Sequence, residues 1–142
     1  MRDYLFRAKL FSSWKWAIGD LVRLKDGDET KTYIYGQGEA RPATVCQMLD
    51  ITDSNKKPIF EGDILRISGV IDDENYEDVV QVYYDQQLHG YLLKANYCKN
   101  PSDIEGLGAC GEKVEIIGNV FDNPELLNNY KPNAEDLWQI TS

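Results

Sequence analysis

Histidine is nearly missing from this sequence of 142 residues, since His89 is the only one. Chemistry that passes a proton through an imidazole therefore has a single candidate. It sits beside Gly90 and near Asp85, where the chain reads as a connection between strands, and no nucleophile with a matched partner accompanies it. The expected role of His89 is a solvated turn residue. Cysteine is scarce as well. Cys46, Cys98 and Cys110 make an odd count, which excludes a fully paired disulfide framework and points to reduced thiols in a cytoplasm. With His89 they would supply four zinc ligands in number, but the close Cys-x-x-Cys pairs that let a tight turn aim two sulfurs at one ion are lacking. No metal and no cofactor is expected. Long apolar runs are absent too. None approaches the roughly 20 residues that a membrane helix needs, and Arg2, Asp3 and Arg7 interrupt the first segment too often for a secretion signal. Neither membrane insertion nor export is expected.

Positive charge is in deficit. Fifteen Lys and Arg against 24 Asp and Glu give a net charge of −9 and a pI near 4.5. Bare duplex DNA is a poor default partner, because phosphate binding draws its free energy from cations that release counterions. The imbalance is uneven. Residues 1–42 carry eight basic and six acidic side chains, a balance of +2, and residues 43–142 carry seven and 18, a balance of −11.

What the sequence has is strand chemistry. Nine tyrosines and three tryptophans fall with β-branched residues in short runs broken by Gly, Asn, Asp and Pro, the composition of pleated, half-buried surfaces. Strands are expected over Tyr4–Leu10, Trp14–Ile18, Leu21–Leu24, Thr32–Tyr35 and Ala43–Met48. Further along, Met48-Leu49 and Ile59-Phe60 flank a polar turn, Asp53-Ser54-Asn55-Lys56-Lys57-Pro58, as in a hairpin. Strands follow at Ile64–Ile67, Val79–Tyr84, Tyr91–Lys94 and Val114–Val120. An acidic loop is expected at Asp72-Asp73-Glu74-Asn75 and a longer loop over Asn100–Gly111. Asp122-Asn123-Pro124-Glu125 reads as a helix start, with a capping side chain, a proline and an acid in the first turn. Gly19-Asp20-Leu21-Val22-Arg23-Leu24 is echoed by Gly62-Asp63-Ile64-Leu65-Arg66-Ile67; shared turn geometry explains this as well as duplication does.

Several motifs are weighed against plainer roles. Gly106-Leu107-Gly108-Ala109-Cys110-Gly111 fits the Gly-x-Gly-x-x-Gly string, but a loop precedes it and a strand follows, the wrong setting for a dinucleotide fingerprint. Glu61 with Asp63, and the cluster Asp72, Asp73, Glu74, Glu77 and Asp78, lack the EF-hand order; a turn and a solvated loop are the simpler roles. Arg7, Lys9, Trp14, Lys15, Trp16 and Arg23 interleave aromatics with cations in the only basic part of the chain. That pattern suits a surface for single-stranded nucleic acid, although core aromatics beside a wet charged face produce the same string.

The ordered motifs together resemble a known family. Tyr4–Lys9, Trp14–Leu21 and Tyr33–Gly36 are similar to the N-terminal half of YopX-like phage and prophage proteins. Met48–Leu65, holding Asp53-Ser54-Asn55-Lys56-Lys57-Pro58-Ile59-Phe60-Glu61-Gly62-Asp63-Ile64, resembles that family's central hallmark, and Val114–Leu127 resembles its C-terminal one. Leu49-Asp50-Ile51 departs from the usual Thr-Gly-Leu turn entry, and Ala8 stands where glycine is common. The resemblance implies a mainly β fold, a phage or mobile-element origin and life in the cytoplasm of a bacterial host. It implies no activity and carries over no catalytic residue.

The expected fold is mainly β, all-β or β-rich α+β: small twisted antiparallel sheets or SH3-like partly open barrel modules with a short C-terminal helix. The domain runs over 1–142 and divides into two packed β subdomains at about 1–47 and 48–127, with a tail over 128–142. The expected function is binding rather than catalysis. The chain would engage a protein partner of host or phage origin through Asp72, Asp73, Glu74, Glu77 and Asp78. One alternative is an acidic mimic of nucleic-acid phosphates that inhibits a host protein. A second is weak single-stranded nucleic-acid binding through Arg7, Lys9, Trp14, Lys15, Trp16 and Arg23. A homo-oligomer remains open.

Overall fold

Period-two alternation runs through most of the chain, and nearly all of it becomes antiparallel strand. The computed structural model describes residues 5–87, 89–95, 102–103 and 111–128. Its elements are β1 (Phe6–Lys9), β2 (Trp16–Gly19), β3 (Leu21–Asp26), β4 (Glu29–Ile34), β5 (Gly38–Glu39), a 3-10 turn (Pro42–Thr44), β6 (Cys46–Thr52), β7 (Pro58–Phe60), β8 (Asp63–Ile71), β9 (Glu74–Asp85), β10 (Gly90–Ala95), β11 (Ser102–Asp103), β12 (Lys113–Asn119) and α1 (Glu125–Asn128). They form three open sheets, ordered β2-β1-β6-β7, β3-β4-β5 and β11-β10-β9-β8-β12. The mainly β expectation holds, and among the described residues the sheets close no barrel. Among the described residues no helix is long and apolar enough to cross a membrane. The chain divides into two compact units, Met1–Asp50 and Ile51–Ser142.

In the first unit, β1 pairs with β2 so that Arg7 faces Ile18, Ala8 faces Ala17 and Lys9 faces Trp16. The pleat then sends Ala8 and Ala17 inward, where they join Ile34 and Ala40, with Phe6, Leu10, Leu21 and Val45 packed around them. Three alanines at the centre let the backbones approach closely, and Ile34 fills what they leave. The other face of the ribbon presents Arg7, Lys9, Trp16 and Ile18. Trp14, expected within a strand, lies instead in the β1–β2 connection with φ at 58°, and the strand begins only at Trp16. Likewise the strand expected from Ala43 begins at Cys46. Pro42 opens a 3-10 turn, and the Thr44 hydroxyl donates to the Arg41 carbonyl at 2.7 Å while accepting the Lys9 amide at 2.9 Å. That local bonding competes with the ladder and delays it.

In the second unit β8 and β9 form one long hairpin. The acidic loop expected over residues 72–75 is only a two-residue turn. Asp72 and Asp73 have φ of 51° and 65°, the positive pair that a type I′ turn requires, and Ile71 already pairs with Glu74. Aspartate tolerates the left-handed region better than most residues, so no glycine is needed. Ile64, Leu65, Val80, Val82, Leu93 and Val114 are buried along this sheet, and Ile59 and Phe60 of β7 are buried too. Gly69 faces Tyr76 across the hairpin. A Cβ there would come within 2.8 Å of the tyrosine ring, so the ring lies directly on the glycine.

Two further expectations are revised. Ser102–Asp103, within the expected loop 100–111, pairs with Leu92 and Leu93. The rest of that loop up to residue 110, Cys98 and the tail from residue 129 on lie outside the described residues, as do residues 106–110 of the glycine-rich string. The Gly-Asp echo has no common geometry either. Gly62 has φ of 89° and is followed by a buried Asp63, whereas Gly19 ends β2 and Asp20 is exposed. The six-residue likeness is therefore not a shared turn.

Candidate functional site

The hallmark carboxylates face inward. Asp53 is buried, and its Oδ1 accepts the amides of Asn55 and Lys57, both at 2.9 Å, while Oδ2 accepts the Ile116 amide of β12 at 3.2 Å. Burial works against the charged carboxylate. Three backbone donors and the Lys57 ammonium outweigh it and hold the pKa below the ordinary carboxylate value. Ser54 adds two more ties, its amide donating to the Val114 carbonyl and its hydroxyl accepting the Val114 amide, each at 2.8 Å. Asp63, with 1% of its surface exposed, accepts the Phe60 amide at 2.8 Å. Between these, Gly62 donates to the Val82 carbonyl and accepts from the Val120 amide. The turn role read for Glu61-Gly62-Asp63 fits this geometry.

The C-terminal hallmark is used in the same inward way. The Asn119 side chain accepts the amides of Phe121 and Asp122. Asn123, expected at the helix start, has its Oδ1 accepting the Asn119 amide at 3.3 Å. It reaches back over Gly118, where a Cβ would meet it at 2.6 Å, so the glycine makes the room that this return needs.

Among the described residues, groups with reactive potential are dispersed. His89 is exposed in the β9–β10 connection with φ of 54°. Cys46 is buried with its Sγ 3.3 Å from the Thr44 carbonyl oxygen. Among the described residues no group of three or more His, Cys, Asp or Glu side chains is arranged to hold a metal ion. Tyr83 has its pKa raised, by burial and then by the charge of Asp85.

Two surfaces gather the remaining candidates. The first is the tip of the β8–β9 hairpin. β12 accompanies β8 as far as Ser68, and β10 accompanies β9 as far as Val80. Among the described residues, Gly69–Val79 thus projects as a two-stranded ribbon. Asp72, Asp73, Glu74 and Glu77 are exposed there and Asp78 is half-buried. Successive positions on β9 alternate, so Glu74 and Asp78 share one face and Glu77 takes the other. Residues 67–79 include no lysine or arginine. A shallow groove lined by Ser68, Gly69, Val70, Asn75, Tyr76 and Glu77 runs beside them, and Val70 is 64% exposed.

The second surface is the β1–β2 ribbon. The Arg7 guanidinium lies 4.7 Å and the Lys9 ammonium 5.3 Å from the centre of the Trp16 ring. At the ribbon's tip Arg41 sits 3.3 Å from the centre of the Trp14 ring and 4.6 Å from that of Phe11, while its Nη2 donates to the Phe11 carbonyl at 3.1 Å. Cation–π attraction of this kind is worth about 0.5–1 kcal/mol at an exposed site. Of the six residues read from the sequence, Arg7, Lys9 and Trp16 converge on one face, and Trp14 and Lys15 belong to the tip. Arg23 stands apart, exposed on β3 opposite Thr32. Sequence reasoning does not find Phe11 and Arg41. Phe11 is readable as an aromatic next to the basic run, but nothing in the sequence announces that Arg41, thirty residues away, reaches it.

A profile of the family described as YopX protein matches residues 10–128. Among solved structures, protein EF1440 from Enterococcus faecalis shares the fold with a TM-score of 0.53 and 17% sequence identity, over 89% of this chain and 99% of that one. At that identity the likeness speaks for the fold alone. No match is found among curated proteins.

Proposed function

The chain belongs to the YopX protein family, and we propose that it acts by binding rather than catalysis, as an accessory protein of a phage or mobile element in the bacterial cytoplasm. Its partner is a protein, of host or phage origin, with a basic surface. The contact is the tip of the β8–β9 hairpin, with Asp72, Asp73, Glu74, Glu77 and Asp78 supplying the charge and Val70 an apolar anchor.

The observation that carries this reading is that, among the described residues, the ribbon runs beyond its flanking strands with five carboxylates, no cation of its own and an exposed valine. Like charges held together this way raise the local negative potential, which speeds encounter with a basic partner and excludes acidic ones. An exposed apolar side chain amid the charges gives such a contact a desolvated centre.

The test is affinity capture from host lysate with the parent chain and with a variant carrying D72N, D73N, E74Q, E77Q and D78N. The expected result is a basic protein retained at low salt, released at high salt and not retained by the variant. Identical capture by both chains refutes the reading. If duplex DNA displaces the captured protein, the carboxylates act as phosphate mimics.

A further inference from the structure

The β1–β2 ribbon has properties that the hairpin reading leaves unused. Trp14 is 59% exposed and holds a left-handed backbone conformation. A bulky residue is disfavoured there, and glycine or asparagine would close the same turn at less cost. A strained, outward tryptophan at a hairpin tip therefore asks for a use outside the fold. Phe11 beside it is 47% exposed. Between them Arg41 is fixed in place by the Phe11 carbonyl and the two rings. The segment's own sequence is cationic as well. Residues 6–18 include Arg7, Lys9 and Lys15 and no Asp or Glu, within a chain of net charge −9.

From this we infer that the Phe11–Lys15 tip with Arg41 is a binding site for single-stranded nucleic acid. The chemistry needs two things at once: an aromatic plane on which an unpaired base stacks, and a cation within one nucleotide's reach to meet its phosphate. Trp14 and Phe11 give the planes. Arg41 and Lys15 give the cations at the tip, and Arg7 and Lys9 beside Trp16 extend the track along the ribbon. A duplex keeps its base faces stacked inside and offers this tip only phosphates. An acidic peptide satisfies the cations but leaves the planes idle. The site is distinct from the acidic hairpin and shares no residue with it.

The experiment is fluorescence anisotropy of the full chain with labelled oligothymidylate and oligoadenylate, a duplex of the same length and polyglutamate, at low and high salt. W14A is expected to weaken single-strand binding about tenfold or more, since stacking on one aromatic is worth about 1–3 kcal/mol per base. W14F is expected to keep most of the affinity. R41Q is expected to weaken binding and to flatten its salt dependence by about 0.7 in slope for each phosphate it no longer neutralises. W14G relieves the backbone and should leave the circular dichroism spectrum unchanged, which separates a binding role from a folding one. Neutralising the five hairpin carboxylates should not reduce the affinity. The inference is overturned by an absence of single-strand binding at low salt, by equal affinity of W14A and W14F, by equal affinity for polyglutamate or duplex, or by a W14G chain that fails to fold.

Discussion

Removing the Asp53 carboxylate should loosen the second unit at one identifiable place. Asp53→Ala deprives three backbone amides of their acceptor: Asn55 and Lys57 at 2.9 Å and Ile116 at 3.2 Å. The first two belong to an exposed turn and regain water, so each loss costs about 0.5–1.5 kcal/mol. The Ile116 amide lies in a half-buried strand and loses a charged acceptor, which costs about 1–3 kcal/mol. The expected total is about 4 kcal/mol. Asp53→Asn keeps one carbonyl oxygen and turns an amide donor toward the other site, for a loss of about 2 kcal/mol. Urea denaturation gives the magnitude, and amide hydrogen exchange gives the place. Ile116 should lose protection, while Val114, held by Ser54, should retain more of it. The pH dependence has a definite sign. Because the folded-state pKa lies below 3.8, the carboxylate's contribution is full above that value and is lost as pH falls through the lower folded one. Parent and Asp53→Asn stabilities should therefore converge in acid. A D53A loss below about 1 kcal/mol with unchanged Ile116 exchange would mean that Asp53 does not anchor the turn to β12.

Two other substitutions probe the same unit. Gly69→Ala places a methyl group within 2.8 Å of the Tyr76 ring; overpacking of that kind costs about 1–3 kcal/mol, and the loss in thermal or urea stability should largely vanish when Tyr76→Ala is the background. Gly62→Ala forces a side chain into φ of 89° while the Gly62 backbone remains committed at both its amide and its carbonyl. A loss of about 1–2 kcal/mol is expected from the destabilised left-handed conformation; no loss would mean that the turn relaxes freely.

How much of this is legible in the sequence follows from the range of the interactions. The apolar runs Ile64–Ile67, Val79–Tyr84 and Val114–Val120 report a local property, the fit of such side chains to a pleated surface. Those strands lie where expected, and Ile64 and Leu65 are buried on successive positions because β8 is covered there on both faces. Turns are harder. The Asp72-Asp73 turn reads as a loop because two aspartates give a weaker signal than Asn-Gly, and Trp14 reads as strand because alternation continues through it. The 53–58 turn is recognisable, but its reach to β12 is not, since the Asp53–Ile116 bond spans 63 residues. Arg41 escapes notice on similar grounds, its bond to Phe11 spanning 30. Within the central and C-terminal hallmarks, Asp53, Ser54, Gly62, Asp63 and Asn119 are occupied within the fold. Those residues transmit scaffold, whereas the stretch Trp14–Leu21, which also carries the resemblance, includes the outward Trp14.

The ties between the 53–63 segment and β12 have a bearing on how the polypeptide is made. Ser54 must wait for Val114, 60 positions later, and the carbonyl of Gly62 waits for Val120. A nascent chain that has emerged only as far as β10 has its bolt but no socket, so this sheet is completed late, after the long hairpin has already had time to form. A chain cut short ahead of Val114 would leave the ribosome with that socket missing for good.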